Sequence, residues 1–274
     1  MSRPTGASLP RAVLDGPRAA APPVRRLLPW GLVGATVLVQ IVYPLVADMV
    51  RTEITVAAVL VFCAASVGDA ARVHGLRGAA VLLAVAGGGG LLVEAVGVHT
   101  GVPFGTYAYT GDLGAEVLGV PAVVPLAWTM MAWPALVVGR TLARRLPVAL
   151  VGGVALAAWD LFLDPQMVDA GHWTWAHPHP ALPLVPGVPL TNYAGWLLVA
   201  VVMVGTLHRV LPRHDRPSGP AAALYLWAYG SSMLAHVVFF DRPGSAVVGG
   251  LVMGVPTVLF ARALWASTQR VQSA

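Results

Sequence analysis

Apolar runs of 17 to 20 residues recur along the whole chain, broken by short segments that hold nearly all the charge. A helix needs ~20 apolar residues to cross the ~30 Å hydrocarbon core of a bilayer. A transmembrane barrel would instead show ~10-residue segments of alternating polarity, and none occur. With 57% hydrophobic and 11% charged residues, the chain has too little polar material to cover a water-facing surface. The expectation is an all-α, polytopic transmembrane helical bundle of about eight spans. They fall near residues 30–47, 54–71, 79–97, 121–139, 147–164, 191–209, 221–240 and 245–264.

Arginine placement orients these spans. All 17 basic residues are Arg, and a cytoplasmic N-terminus puts 15 of them on the inner side, leaving Arg51 and Arg242 outside. That bias is the positive-inside rule, and it makes both termini cytoplasmic. Residues 1–29 then read as a disordered cytoplasmic tail, 30–265 as the bundle and 266–274 as a second cytoplasmic tail. Residues 30–47 read as a retained span because no A-x-A cleavage site follows promptly. The expected location is the cell membrane. Arginines scattered between spans serve topology and lipid headgroups, so the net charge of +5 implies no nucleic acid. The single Cys63, inside an apolar run, reads as a small core residue.

Two outer loops, 98–120 and 165–190, contain no Lys or Arg and are dense in Gly, Pro, Trp, Tyr and His. That composition suits ordered segments seated at the interface. The third and eighth spans carry small-residue sites, Gly87–Gly90 and Gly250/Gly254, where helices can approach closely.

Ionisable side chains inside a bilayer are costly and mark functional sites by default. Here they gather toward the outer ends of spans. Glu94 lies about one turn, roughly 6 Å, from the end of span three. Asp160 and Asp164 are four residues apart, so they share one helical face. His236 and Asp241 close span seven, whereas Asp69 falls on the cytoplasmic side and reads as structural. A protonated carboxyl beside an ionised one supplies a general acid and a general base without a cofactor. Tyr107, Tyr109, Trp128, Trp159, Trp173, Trp175 and Trp196 ring the same end. Individually they read as interfacial belt residues, and together their π faces can steady a carbocation. His99, His172, His177 and His179 lack a helical ligand spacing, so no metal is expected.

Specific strings then stand out: Glu94-Ala-Val-Gly97 through Pro103-Phe104-Gly105-Thr-Tyr107-Ala-Tyr109, Gly119-Val-Pro121, Pro125-Leu-Ala-Trp128, Trp159-Asp160-Leu-Phe-Leu-Asp164-Pro165, Gly171-His-Trp173-Thr-Trp175, and Gly187-Val-Pro189 through Asn192-Tyr193-Ala-Gly195-Trp196. Over roughly residues 30–265 the chain resembles the carotenoid biosynthesis protein family of membrane hydratases, the CruF type. The resemblance implies addition of water to the C1–C2 double bond of an acyclic carotenoid end group, giving a tertiary 1-hydroxy product. It implies no cofactor, a lipophilic carotenoid substrate in the bilayer, and other carotenoid pathway enzymes as partners. Glu94, Asp160, Asp164, Trp173, Trp175 and Asn192 stand at motif positions.

For that chemistry the residues suggest a carboxyl from Glu94 or Asp160 as acid and Asp164 as base. Tyr107, Trp128, Trp173 and Trp175 would line the cation site, Asn192 would orient water, and His236 would contact substrate. Three other readings stay open. A carotenoid end-group cyclase also begins by protonating an alkene. A membrane prenyltransferase would use the Asp160–Asp164–Asp169 spacing for a metal diphosphate but needs cationic partners. A proton-coupled transporter would use Glu94 and His236 as a relay.

Overall fold

The computed structural model describes residues 23–214 and 216–272. Among the described residues there are eight helices, α1 (Pro23–Val42), α2 (Asp48–Leu82), α3 (Gly89–Thr100), α4 (Val123–Leu142), α5 (Val148–Asp169), α6 (Leu190–Val210), α7 (Gly219–Val238) and α8 (Pro243–Gln272), with the two longest connections between α3 and α4 and between α5 and α6. A π-helical stretch, Leu83–Gly88, links α2 to α3. Helix α1 begins seven residues before the expected first span, and α8 runs on through most of the expected C-terminal tail. The expected disorder of residues 1–22 lies outside the described residues.

Among the described residues seven helical stretches are long and apolar enough to cross a membrane, and the longest, Val50–Thr100, spans 51 residues. That stretch is a hairpin. Gly75 sits at φ 73° and ψ 179°, a conformation a Cβ disfavours. Ser66 donates to the Met130 carbonyl at 2.6 Å, while a Cβ on Gly87 would lie 3.1 Å from the Thr129 hydroxyl. Along a straight helix, residues 66 and 87 would be about 32 Å apart. Instead they meet adjacent residues of α4, so the chain doubles back at Gly75. The expected tally of eight counts these two arms separately.

Helices α4 and α5 are the most enclosed of the apolar stretches, as expected of helices surrounded by others. They form the centre, with α2, α6, α7 and α8 around them. Glycines set the close approaches. A Cβ at Gly152 would lie 2.7 Å from Val204, and one at Gly153 2.5 Å from Val201, so α5 and α6 meet backbone to side chain. Gly250 and Gly254 meet Met233 and Tyr229 in the same way across the α7–α8 hairpin.

The bundle is all-α as expected, and its loops carry three short two-stranded sheets among the described residues. They pair β1 (Tyr107–Tyr109) with β4 (Trp173–Trp175), β2 (Glu116–Val117) with β3 (Val120–Pro121), and β5 (Ala181–Leu182) with β6 (Val185–Pro189). At the opposite end the arginine-rich connections are tied together. Arg140 donates to the Leu211 and Pro212 carbonyls at 2.7 and 2.8 Å. Arg72 donates to Ser218 at 2.8 Å.

Candidate active site

Glu94 is buried on α3, and two glycines on its own helix admit its partners. Gly90 is four residues before it and Gly97 three after, so all three lie on one face. A Cβ at Gly90 would sit 2.9 Å from the Trp128 indole, and one at Gly97 2.9 Å from both Phe104 and the Tyr107 hydroxyl. With those side chains absent, Trp128 Nε1 donates to Glu94 Oε1 at 2.9 Å. Tyr107 and Tyr109 donate to Oε2 at 2.5 and 2.9 Å. Desolvation, and after it the Glu94 charge, push both phenols far above their ordinary range. Both therefore keep their protons and act as donors.

Asp160 and Asp164 form the second centre. One turn of α5 separates them, so they share one helical face, and both are buried. The Asn192 amide nitrogen on α6 donates to Asp160 Oδ2 at 3.0 Å and also to Asp164 Oδ2. Trp173 Nε1 donates to Asp164 Oδ1 at 3.1 Å. Asp160 Oδ1 is buried with no hydrogen-bond partner among the described residues. Three residues beyond Asn192, a Cβ at Gly195 would strike the Pro103 carbonyl at 2.8 Å. That glycine lets the first loop settle onto α6.

The two aromatic dipeptide patterns meet as a ribbon. Strands β1 and β4 are antiparallel, pairing Tyr107 with Trp175 and Tyr109 with Trp173. Alternate residues of a strand share a face, so all four rings project to one side, toward the acids. Ring centroids are 5.8 Å apart for Tyr107–Trp175 and 5.7 Å for Tyr109–Trp173. A lone two-stranded ribbon is marginal in water. This one is held by its flanks: Thr110 N–H donates to the His172 carbonyl at 3.1 Å and Ala176 N–H to the Thr106 carbonyl at 2.9 Å. Trp175 Nε1 also donates to the Phe104 carbonyl at 2.9 Å.

Beneath the ribbon lies a chamber enclosing about 1260 Å³ of unfilled space, part of it open to the outside. Glu94, Asp164 and Asn192 reach its wall, as do Tyr107, Tyr109, Trp128, Trp173 and Trp175. Trp196 stacks on Trp128 at 3.8 Å and meets Trp159 edge-on at 6.3 Å. The chamber continues along apolar side chains such as Val59, Phe162, Leu163 and Met167. Mainly apolar walls with a few convergent polar groups suit a hydrophobic molecule.

Most of the candidates read from the sequence therefore converge, with three differences. Asp160 stands behind Asp164 and Asn192 rather than on the chamber wall. His236 is turned away from the acids. Its Nδ1 lies 2.9 Å from the Ser232 carbonyl and its Nε2 3.1 Å from that of Phe162, and it is not among the lining residues. Asp241 is exposed in the α7–α8 turn. His99 and His172 are held by the Ala95 carbonyl and Asp112, His177 and His179 are exposed, and no group of three metal-binding side chains occurs among the described residues. Sequence reasoning missed Gln40, Gln166, Ser231 and Ser232 at the chamber wall. Uncharged amides and hydroxyls inside apolar runs were the signal that could have found them.

Residues 51–257 match the carotenoid biosynthesis protein family. The bisanhydrobacterioruberin hydratase of Haloarcula japonica is 36% identical over 118 residues, a stretch covering 41% of this chain and 39% of that protein. No solved structure matches the chain. The acids, the aromatic ribbon and the chamber all lie within the matched region, and the chain belongs to the carotenoid biosynthesis protein family.

Proposed function

We propose that this protein is an integral membrane hydratase that adds water across the C1–C2 double bond of an acyclic carotenoid end group. The observation that carries the reading is a set of buried carboxyls, with no Lys or Arg among the chamber-lining residues, at a mainly apolar chamber walled by aromatic rings. The hydratase name of the Haloarcula relative supports the same reaction class. Arginine placement supports a location of this end at the outer face of the cell membrane, with both termini cytoplasmic.

The hydrogen bonds support roles reversed from those read in the sequence. The Trp128, Tyr107 and Tyr109 side chains all donate to the Glu94 carboxyl, which suits a group that receives a proton. Asp160 and Asp164 both accept from the Asn192 amide nitrogen, and two buried like charges drawn to one donor favour a state in which the pair keeps one proton. In the proposed sequence, Asp164 transfers that proton to C2, drawing on Asp160 behind it. The tertiary cation at C1 is held against the faces of Tyr107, Trp128, Trp173 and Trp175. Water adds to C1, oriented by Asn192, and its surplus proton passes to Glu94. Return of a proton from Glu94 to the aspartate pair completes the cycle. The net change is H at C2 and OH at C1, a redox-neutral addition that requires no cofactor.

Expression in a lycopene-producing host tests the reading. The expected pigment gains 18 mass units per hydrated end, with ¹⁸O on the tertiary carbon when made in H₂¹⁸O. An unchanged mass with a shifted spectrum would instead assign a cyclase, and a larger gain a prenyl transfer.

A further inference from the structure

A second cavity, about 820 Å³ and also open on one side, adjoins the chamber. Its lining is polar where the chamber's is apolar: Arg51, Thr52, Asp169, His172 and Arg242. Arg51 and Arg242, the two arginines that the topology leaves on the outer side, meet here, with Arg242 paired to Asp169. Asp169 and Ala170 at the rim are exposed. Three residues line both cavities: Tyr43, Gln166 and Phe240. The rings of Tyr43 and Phe240 pack edge to face at 5.9 Å and form the partition. Gln166 brings an amide to both sides. On α5 it continues the stripe of Phe162 and Asp169, three to four residues apart, which runs from the chamber into the polar cavity.

We propose that this polar vestibule is the port through which water reaches the chamber, with Gln166 as the positioning residue at its inner end. The inference rests on the hydratase reading. That reaction consumes one water per alkene, and a bound polyene fills the apolar length of the chamber and closes that side to solvent. The vestibule offers a separate polar path from the exposed rim to the chamber wall at Gln166. A water that arrives donates its oxygen to C1 and its surplus proton to the base. When none arrives, the cation loses a proton and returns to alkene. In D₂O, with the acid exchanged before substrate binds, that return leaves deuterium in recovered carotenoid.

The test compares wild type with Gln166→Leu, Gln166→Glu and Ala170→Trp in membranes equilibrated with D₂O and H₂¹⁸O. Ala170→Trp blocks the rim from an exposed position, so it does not depend on repacking the interior. Gln166→Leu and Ala170→Trp are expected to lower kcat for ¹⁸O incorporation about tenfold with KM unchanged. In both, the ratio of deuterated recovered carotenoid to hydrated product rises, while Gln166→Glu, which keeps a polar side chain at that point, shows a smaller rise. Hydration at the wild-type rate in both blocked variants overturns the port and leaves the hydratase reading standing. An equal fall of hydration and deuteration also overturns it, because it marks a distorted site rather than a closed path. Absence of ¹⁸O product from wild type overturns the hydratase reading, and the port with it.

Discussion

The two ends of the bundle each bury carboxyl groups, but in opposite company. At the arginine-rich end Asp69 is enclosed and accepts from Arg72 at 2.9 Å, Trp133 at 2.8 Å and Ser218 at 2.5 Å. Its charge is matched by a cation, its lone pairs are occupied, and it does not line the chamber. At the other end Glu94, Asp160 and Asp164 are equally buried, have no arginine partner among the described ion pairs, and Glu94 and Asp164 open onto the chamber. A buried acid with a cation and no cavity ties helices together. Buried acids that keep one another company beside a cavity hold the means to move a proton. Burial alone does not separate clasp from catalyst; the neighbours do.

Substitutions can break that contrast, and the largest effect is expected where the proton is handed over. Asp164→Asn preserves shape and removes the donor, so hydration should fall about 1000-fold with unchanged protein levels in the membrane. Near-normal turnover would remove Asp164 from the chemistry. Asp160→Asn should follow within about tenfold of that loss, because it removes the partner that shares the proton. Glu94→Gln should cost about 100-fold, measured as hydroxylated pigment per unit of folded protein. A larger loss than in Asp164→Asn would restore Glu94 as the acid. Gly97→Ala sharpens the packing side of the comparison. Its Cβ would displace the Tyr107 hydroxyl from Glu94, and about tenfold in rate should go with it. Asp69→Asn should leave turnover per folded molecule unchanged while lowering stability by about 1–3 kcal/mol, read as a lower Tm in detergent. Loss of turnover without loss of stability there would erase the distinction between the ends.

Much of this was legible along the chain because membranes impose simple rules. Helix positions followed from apolar runs, and rare acids in those runs marked Glu94, Asp160 and Asp164. His236 and Asp241 carried the same signal, yet they end elsewhere. Periodicity places a residue at a depth and on a helix, but which way a helix face turns is set by its neighbours' packing. Tyr107 and Trp175 were visible as aromatic residues of two loops, but their pairing across 68 positions was not. Gly90 and Gly97 could be read only as small, since nothing local says that an indole and a phenol will fill the space they leave.

The sequence by itself determined that the chain lies in a membrane and how its helices are punctuated. It also determined that its few acids sit in segments where water is scarce. Those properties depend on hydrophobicity and on spacing within one helix, both local. The tertiary structure decided which acids meet, which one stands behind another, and how two loops close over them. It also decided where a polar cavity touches an apolar one. Those outcomes depend on contacts between residues far apart in the chain, and local chemistry cannot specify them before the helices pack.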